Sequence, residues 1–185
     1  MLYDPETQTL YRNQSEAKKL GLPKVSTAPR PDVDAGQVAV RDDMPTEQGD
    51  GSWRFEWTVE RMSDTEIKRA VNVERDRRVA AGTTVAVTGY GDVPVQGGVS
   101  DQINMIALDA TAKSLKASGE TGAIIPFRDA VDIMHDLTPD QMIELVAKSK
   151  QVATAIYAVS WDMKDGTGDF TGGIPTDFTD DSYWP

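Results

Sequence analysis

Apolar residues recur at intervals of three and four along residues 138–164, and this pattern predicts a long amphipathic helix. Thr138 is a preferred N-cap, Pro139 suits the first helical position, and Gln141 stands where a capping box requires it. Gly166 predicts the end of the helix, which would be about 40 Å long. The apolar stripe, interrupted by Ser149, is Met142, Leu145, Val152, Ile156, Val159 and Met163.

Two shorter helices are predicted before this one. Ser63 and Glu66 form a capping box at the start of a helix that extends to about residue 81. Its charged run, residues 74–78, favours a solvated face with local ion pairs, and contact with an acidic partner is the alternative. Ser100 is the expected cap of a helix ending near residue 117. Its expected core side comprises Ile103, Ile106, Ala107, Ala110 and Leu115.

Alternation of apolar and polar residues predicts a strand over residues 52–60, with Trp53 and Trp57 on its aromatic face. Packing of a small sheet explains these aromatic residues, and a carbohydrate site is the alternative. Turn residues predict hairpins over 83–96 and 123–134. A short helix is expected at residues 15–20.

These elements predict an α+β fold in three parts. Residues 1–60 form a small β-rich attachment module, and residues 61–165 form an α+β domain that ends in the long helix. Residues 166–185 are expected to be an extended tail, because they are too polar to form a core. The tail is interpreted as disordered or held to a partner by its aromatic residues.

The charge balance narrows the possible partners. The chain of 185 residues carries 30 acidic and 19 basic residues, a net charge of -11, which argues against binding nucleic acid. No apolar run reaches the roughly 18 residues that suggest a membrane-spanning helix, so no membrane insertion is expected. The first ten residues lack the basic and apolar segments of a secretory signal. Without cysteine, disulfides and thiolate metal sites are excluded.

The candidate chemistry is sparse. His135 is the single histidine, so a zinc site of the usual kind is not expected. It would also be the base of any Ser-His-Asp triad, but no nucleophile-turn motif is present. Asp129 and Asp132 are candidate paired carboxylates to which no acid–base role is assigned. Asp162, Asp165 and Asp169 do not fit a calcium loop. We therefore predict no enzymatic activity, no cofactor and no metal site.

Several segments carry a resemblance to a known family. They are residues 74–82 (ERDRRVAAG), the helix at 101–113, residues 127–130, residues 137–142 and residues 157–164. In this order and spacing the chain resembles a phage and prophage domain of unknown function found in tail-fibre and tail-associated proteins. Residues 51–59, followed by 63–66, are similar to a segment of small tail-fibre and fibre-assembly proteins.

The resemblance implies a structural component of a bacteriophage tail, in a tail fibre or the fibre-bearing baseplate region. Such a protein is made in the host cytoplasm and acts through other tail proteins in virion assembly and host attachment. A tail-fibre assembly chaperone that leaves the finished particle is the alternative. A third interpretation is a cell-surface glycan binder that uses Trp53 and Trp57.

The long helix also predicts an interface. A small domain cannot easily cover about 40 Å of helix, so the half after Ser149 is expected to extend beyond the body and contact another subunit. A homotrimer is the first choice, because fibres of the resembled kind are usually trimers, and docking on a different tail protein is the second. The expected interface comprises Val152, Ile156, Val159, Met163, Phe170, Phe178, Tyr183 and Trp184.

Overall fold

The computed structural model describes residues 1–12 and 21–185, so the helix predicted at 15–20 lies outside the described residues. The described residues combine helices and several small sheets, which confirms the α+β class. They divide into two units, Met1–Thr65 and Glu66–Pro185, and each unit is described by itself.

The first unit consists of short strands. The strands are β1 Leu2–Asp4, β2 Thr9–Tyr11, β3 Val25–Thr27, β4 Gln37–Arg41, β5 Thr46–Glu47, β6 Trp53–Phe55 and β7 Trp57–Arg61. β6 pairs parallel with β3 and antiparallel with β5. β7 pairs antiparallel with β4, and β1 pairs antiparallel with β2. The single strand predicted at 52–60 is therefore two strands, divided at Glu56, because its halves belong to different sheets.

Three helices and two antiparallel hairpins account for most of the remaining described residues. The helices are α1 Asp64–Ala81, α2 Val99–Ala117 and α3 Pro139–Asp165. The hairpins are β8 Thr83–Val87 with β9 Gly91–Val95, and β10 Ile125–Arg128 with β11 Met134–Leu137. The capping box of α3 is present, since Thr138 N donates to Gln141 Oε1 at 2.9 Å. The N-cap of α2 is Gly98, whereas the sequence predicted Ser100.

The core of the second unit lies where β8–β9 and β10–β11 meet α2 and α3. Its buried residues are Val85, Val87, Val93, Val95, Met105, Ala112, Ile125, Leu137, Met142, Leu145 and Val146. Gly82 ends α1 with a φ of 75° and lies so close to β9 that an added Cβ would lie 1.8 Å from the Val95 carbonyl oxygen. Only glycine satisfies both the conformation and the close approach at this position.

The C-terminal half of α3 does not extend beyond the body, which corrects the prediction. Ile156 and Met163 are buried, and Val152 and Val159 are half-buried. Contacts from α1 run along this half, because Lys164 Nζ donates to Asn72 Oδ1 at 2.7 Å and the Arg75 guanidinium lies 4.9 Å from the Tyr157 ring centre. Apolar residues spaced by three and four along a helix are compatible with a buried face and with an exposed coiled-coil face. In this half of α3, Ile156 and Met163 of the stripe are buried within the second unit.

The C-terminal segment also differs from the expected extended tail. It forms two 3-10 turns, Gly168–Phe170 and Asp181–Tyr183, and the first packs on α3. Phe170, Phe178 and Trp184 are buried within the unit, and Tyr183 is half-buried. The indole Nε1 of Trp184 donates to the Phe178 carbonyl oxygen at 2.8 Å. The aromatic residues of the segment are therefore covered by the second unit and do not form an extended tail.

The charged run of α1 holds this segment in place. The predicted local ion pairs are present, but the prediction of a solvated face is wrong for Glu74 and Arg78. Glu74 is buried and accepts hydrogen bonds from Arg77 and Arg78, each at 2.6 Å. Arg78 also donates to the Thr179 carbonyl oxygen at 2.8 Å and to Asp181 at 2.7 Å. Its guanidinium lies 5.0 Å from the Trp184 ring centre. The hydrogen bond from Arg77 is the largest cause that lowers the pKa of Glu74.

Candidate functional site

The loop between β10 and β11 presents apolar side chains to solvent. Val131, Ile133 and Met134 are 61%, 55% and 52% exposed. The sequence predicted a strand over 131–134, but β11 begins only at Met134. Asp132 has a φ of 69°, so the chain turns there through the left-handed region and cannot continue as a strand. We call residues 129–133 the apolar loop.

A buried carboxylate braces the apolar loop from inside. Asp129 Oδ1 accepts from the backbone N–H of Val131 at 2.9 Å and of Ile133 at 2.8 Å. Oδ2 lies 2.8 Å from His135 Nε2, and only 1% of the Asp129 side chain is exposed. Burial opposes ionisation, but the hydrogen bonds from His135, Ile133 and Val131 together lower the pKa of Asp129 below its ordinary value.

His135 joins this carboxylate to the neighbouring hairpin. Its Nδ1 lies 3.0 Å from the hydroxyl of Tyr90, in the turn between β8 and β9. We assign the ring proton to Nε2, facing the carboxylate, so that Tyr90 donates to Nδ1. The Tyr90–His135–Asp129 chain therefore orients the tyrosine hydroxyl and ties the two hairpins together.

The backbone of the apolar loop is attached to β9 as well. The N–H of Ala130 donates to the Pro94 carbonyl oxygen at 3.1 Å, and Gln96 Nε2 donates to the Ala130 carbonyl oxygen at 3.3 Å. Asp132 pairs with Arg128 at 2.8 Å, so the two candidate carboxylates of the sequence have different partners. With these attachments, the loop presents its apolar side chains in one defined conformation.

The outer face of α2 is a second exposed apolar surface. Val99, Ile103 and Ile106 are 77%, 62% and 58% exposed, whereas Met105 and Ala112 on the opposite side are buried. The prediction that Ile103, Ile106, Ala107 and Ala110 face the core is therefore wrong, although Leu115 does pack against it. The core contacts come instead from Met105, Leu108, Ala112 and Leu115. The helix is apolar on two faces, and periodicity alone does not say which face is covered.

Clefts lie on both sides of α2. One of about 360 Å³ separates it from the apolar loop and is lined by Asp101, Asn104, Phe127 and Arg128 among others. Another, of about 120 Å³, lies between α2 and α3. Of the interface residues predicted from the sequence, Val152 and Ile156 line this second cleft, beside Met105, Ile106, Ser149 and Ala153.

Trp53 and Trp57 are half-buried in the first unit. Trp53 lies against Tyr3, with ring centres 4.8 Å apart, and Trp57 Nε1 donates to the Ala28 carbonyl oxygen at 2.9 Å. Both tryptophans thus make packing contacts. Among residues 1–12 and 21–185, no cluster of three or more histidine, aspartate or glutamate side chains could hold a metal ion. In the same residues no helix is long and apolar enough to cross a membrane.

The second unit is thus an α+β domain with two exposed apolar surfaces, and its sequence matches a known family. Residues 63–180, more than half of the chain, match the family model described as a domain of unknown function (DUF4376). The chain belongs to this family. No curated protein and no solved structure matches the chain.

The sequence did not predict that either of these apolar surfaces is exposed. One signal for the apolar loop is present in the sequence: Asp129 lies in the turn predicted at 128–129 and His135 follows it by six residues, close enough in a hairpin for the two side chains to meet. A second signal was the spacing of apolar residues on both sides of α2. Nothing local indicated that Tyr90, 45 residues before His135, would complete the hydrogen-bond chain.

Proposed function

We propose that the protein is a structural component of a bacteriophage tail that acts by binding other tail proteins. The observation that carries a binding role is the apolar loop, which exposes Val131 and Ile133 on a backbone fixed by a buried carboxylate. The assignment to a tail fibre or to the fibre-bearing baseplate region rests on the resemblance of segments such as residues 74–82, 127–130 and 137–142 to tail-associated proteins.

A fixed apolar loop is well suited to binding a protein. Ordering a flexible loop on binding costs free energy, and that cost is small where hydrogen bonds already hold the backbone. Burying exposed apolar surface contributes about 25 cal/mol per Å². Val131, Ile133 and Met134 are all exposed within four residues at one end of the hairpin, and clustered exposed apolar residues are typical of interaction sites.

The charge of the chain favours a protein partner. A net charge of -11 repels a phosphate backbone and membranes of anionic lipid. The charged residues nearest the loop tip, Arg128 and Asp132, pair with each other at 2.8 Å. The loop therefore offers a mainly apolar contact with a polar rim, the usual composition of a protein–protein interface.

The test is quantitative mass spectrometry of purified phage particles and of tail-assembly intermediates from the same lysate. The proposal predicts the protein in finished particles, at a constant ratio to a major tail protein. Presence in intermediates and absence from finished particles would contradict the structural role and favour the assembly chaperone. Absence from both fractions would overturn the assignment to the tail.

A further inference from the structure

The exposed face of α2 has the residue spacing of a helix-pairing surface. Val99, Ile103, Ile106 and Ala110 follow one another at intervals of four, three and four residues. This is the spacing of a and d positions in a coiled coil, and the four residues lie opposite the side of α2 that packs in the core. We call them the α2 stripe.

We propose that the α2 stripe binds the same stripe of a second copy of this chain, with the two helices antiparallel. Reversing the stripe places Ile103 against the partner's Ile106, and Val99 against the partner's Ala110. The two central layers then each pair two isoleucines. The two outer layers each pair a valine with the smaller alanine. The surface is self-complementary, as a two-fold interface requires.

Charge selects the antiparallel direction. The next position of the same spacing after Ala110 is Lys113, which pairs with Asp109 at 2.7 Å. A parallel pairing would place the Lys113 ammonium groups of the two copies in one layer, whereas an antiparallel pairing separates them to opposite ends. At the flanks, Gln102 lies opposite the partner's Asp109, so no like charges meet there.

The expected pairing is weak. In this pairing only residues 99–110 face the partner helix, a length of about 18 Å, so a contact strip about 10 Å wide covers about 180 Å² on each copy. A standard specific interface covers about 800 Å² per partner. We therefore expect a dissociation constant in the micromolar range or higher. Association should be stronger where several copies are held near one another. This inference rests on the α2 stripe and not on a role in a phage tail.

Sedimentation of the full chain tests whether the pairing occurs. Between about 1 μM and about 1 mM the wild type is expected to pass from monomer towards dimer. The double variant Ile103→Gln, Ile106→Gln should shift this transition to at least tenfold higher concentration, with an unchanged melting temperature. Val73→Gln is the matched control, because Val73 is 65% exposed on α1, outside the stripe. A wild-type monomer at every concentration would overturn the proposal, as would an unshifted transition in the double variant.

Cysteine cross-linking tests the direction, because the chain contains no cysteine of its own. In the antiparallel pairing, position 99 of one copy meets position 110 of the other, and the two positions 99 lie about 16 Å apart. Oxidation of a mixture of Val99→Cys and Ala110→Cys should therefore give mainly the mixed dimer. Mainly Val99→Cys homodimer would contradict the antiparallel direction. No cross-linking above that of Val73→Cys would contradict the interface itself.

Discussion

A single buried carboxylate determines the shape of the apolar loop. Asp129 accepts hydrogen bonds from two backbone N–H groups and faces His135, so it fixes the positions of Val131 and Ile133. Sequence reasoning considered Asp129 and Asp132 as a pair. The sequence does not separate them, because the difference arises from the burial of Asp129 and from its hydrogen bonds with Val131, Ile133 and His135 in the folded hairpin.

Replacing Asp129 should loosen the loop. In Asp129→Ala, the backbone N–H groups of Val131 and Ile133 lose their acceptor, and their hydrogen exchange should accelerate at least tenfold. Asp132→Asn is the control, because asparagine tolerates the positive φ at that position. Exchange measured by NMR checks the result. Unchanged exchange at both amides in Asp129→Ala would contradict the bracing role.

Glu74 should make the stability of the protein depend on acidic pH. Its pKa is lowered from 4.5, first by the hydrogen bond from Arg77, so the folded state binds fewer protons than the unfolded chain as pH approaches that value. The stabilisation is present above pH 4.5 and is lost as pH falls through the lower folded pKa. The melting temperature of the wild type should therefore fall as the pH is lowered below 4.5, and Glu74→Gln should make this fall smaller. Glu120→Gln, at an exposed position, is the control. An equal fall in wild type and Glu74→Gln would contradict the ion-pair role.

At the scale of elements, local signals predicted the helices well. The capping box and Gly166 fix the ends of α3, and both are interactions among near neighbours in the chain. The covered faces were less predictable, because they depend on segments far away in sequence. The 3-10 turn that contains Phe170 packs on α3, and Arg78 holds the end of the chain through Thr179, 101 residues later, and through Asp181.

The assignment of faces predicts opposite outcomes for two isoleucines. Ile156 of α3 is buried, so Ile156→Asp places an unpaired charge in the core and should lower the free energy of unfolding by about 3 kcal/mol or more. Ile103 of α2 is exposed, so Ile103→Asp should change the free energy of unfolding by less than about 1 kcal/mol. Urea unfolding at low protein concentration checks both variants. Equal effects in the two variants would show that the faces are wrongly assigned.

In the whole molecule, the family match at 63–180 falls almost entirely within the second unit. It includes the apolar loop, the α2 stripe and residues 166–180 of the C-terminal segment. Alternating patterns predicted the strand-rich character of the first unit. They could not predict the break at Glu56, because it depends on which strands the two halves join.

We propose that the apolar loop attaches the protein to a phage tail. The test compares how much of three proteins is incorporated into particles. They are the wild type, the double variant Val131→Ser, Ile133→Ser (the loop variant) and the control Val73→Ser. Mass spectrometry of particles from hosts that produce each variant at equal levels measures incorporation. We expect the loop variant to fall at least tenfold, with an unchanged melting temperature, and the control to match wild type. If the loop variant is incorporated as well as wild type, the apolar loop does not attach the protein to the particle.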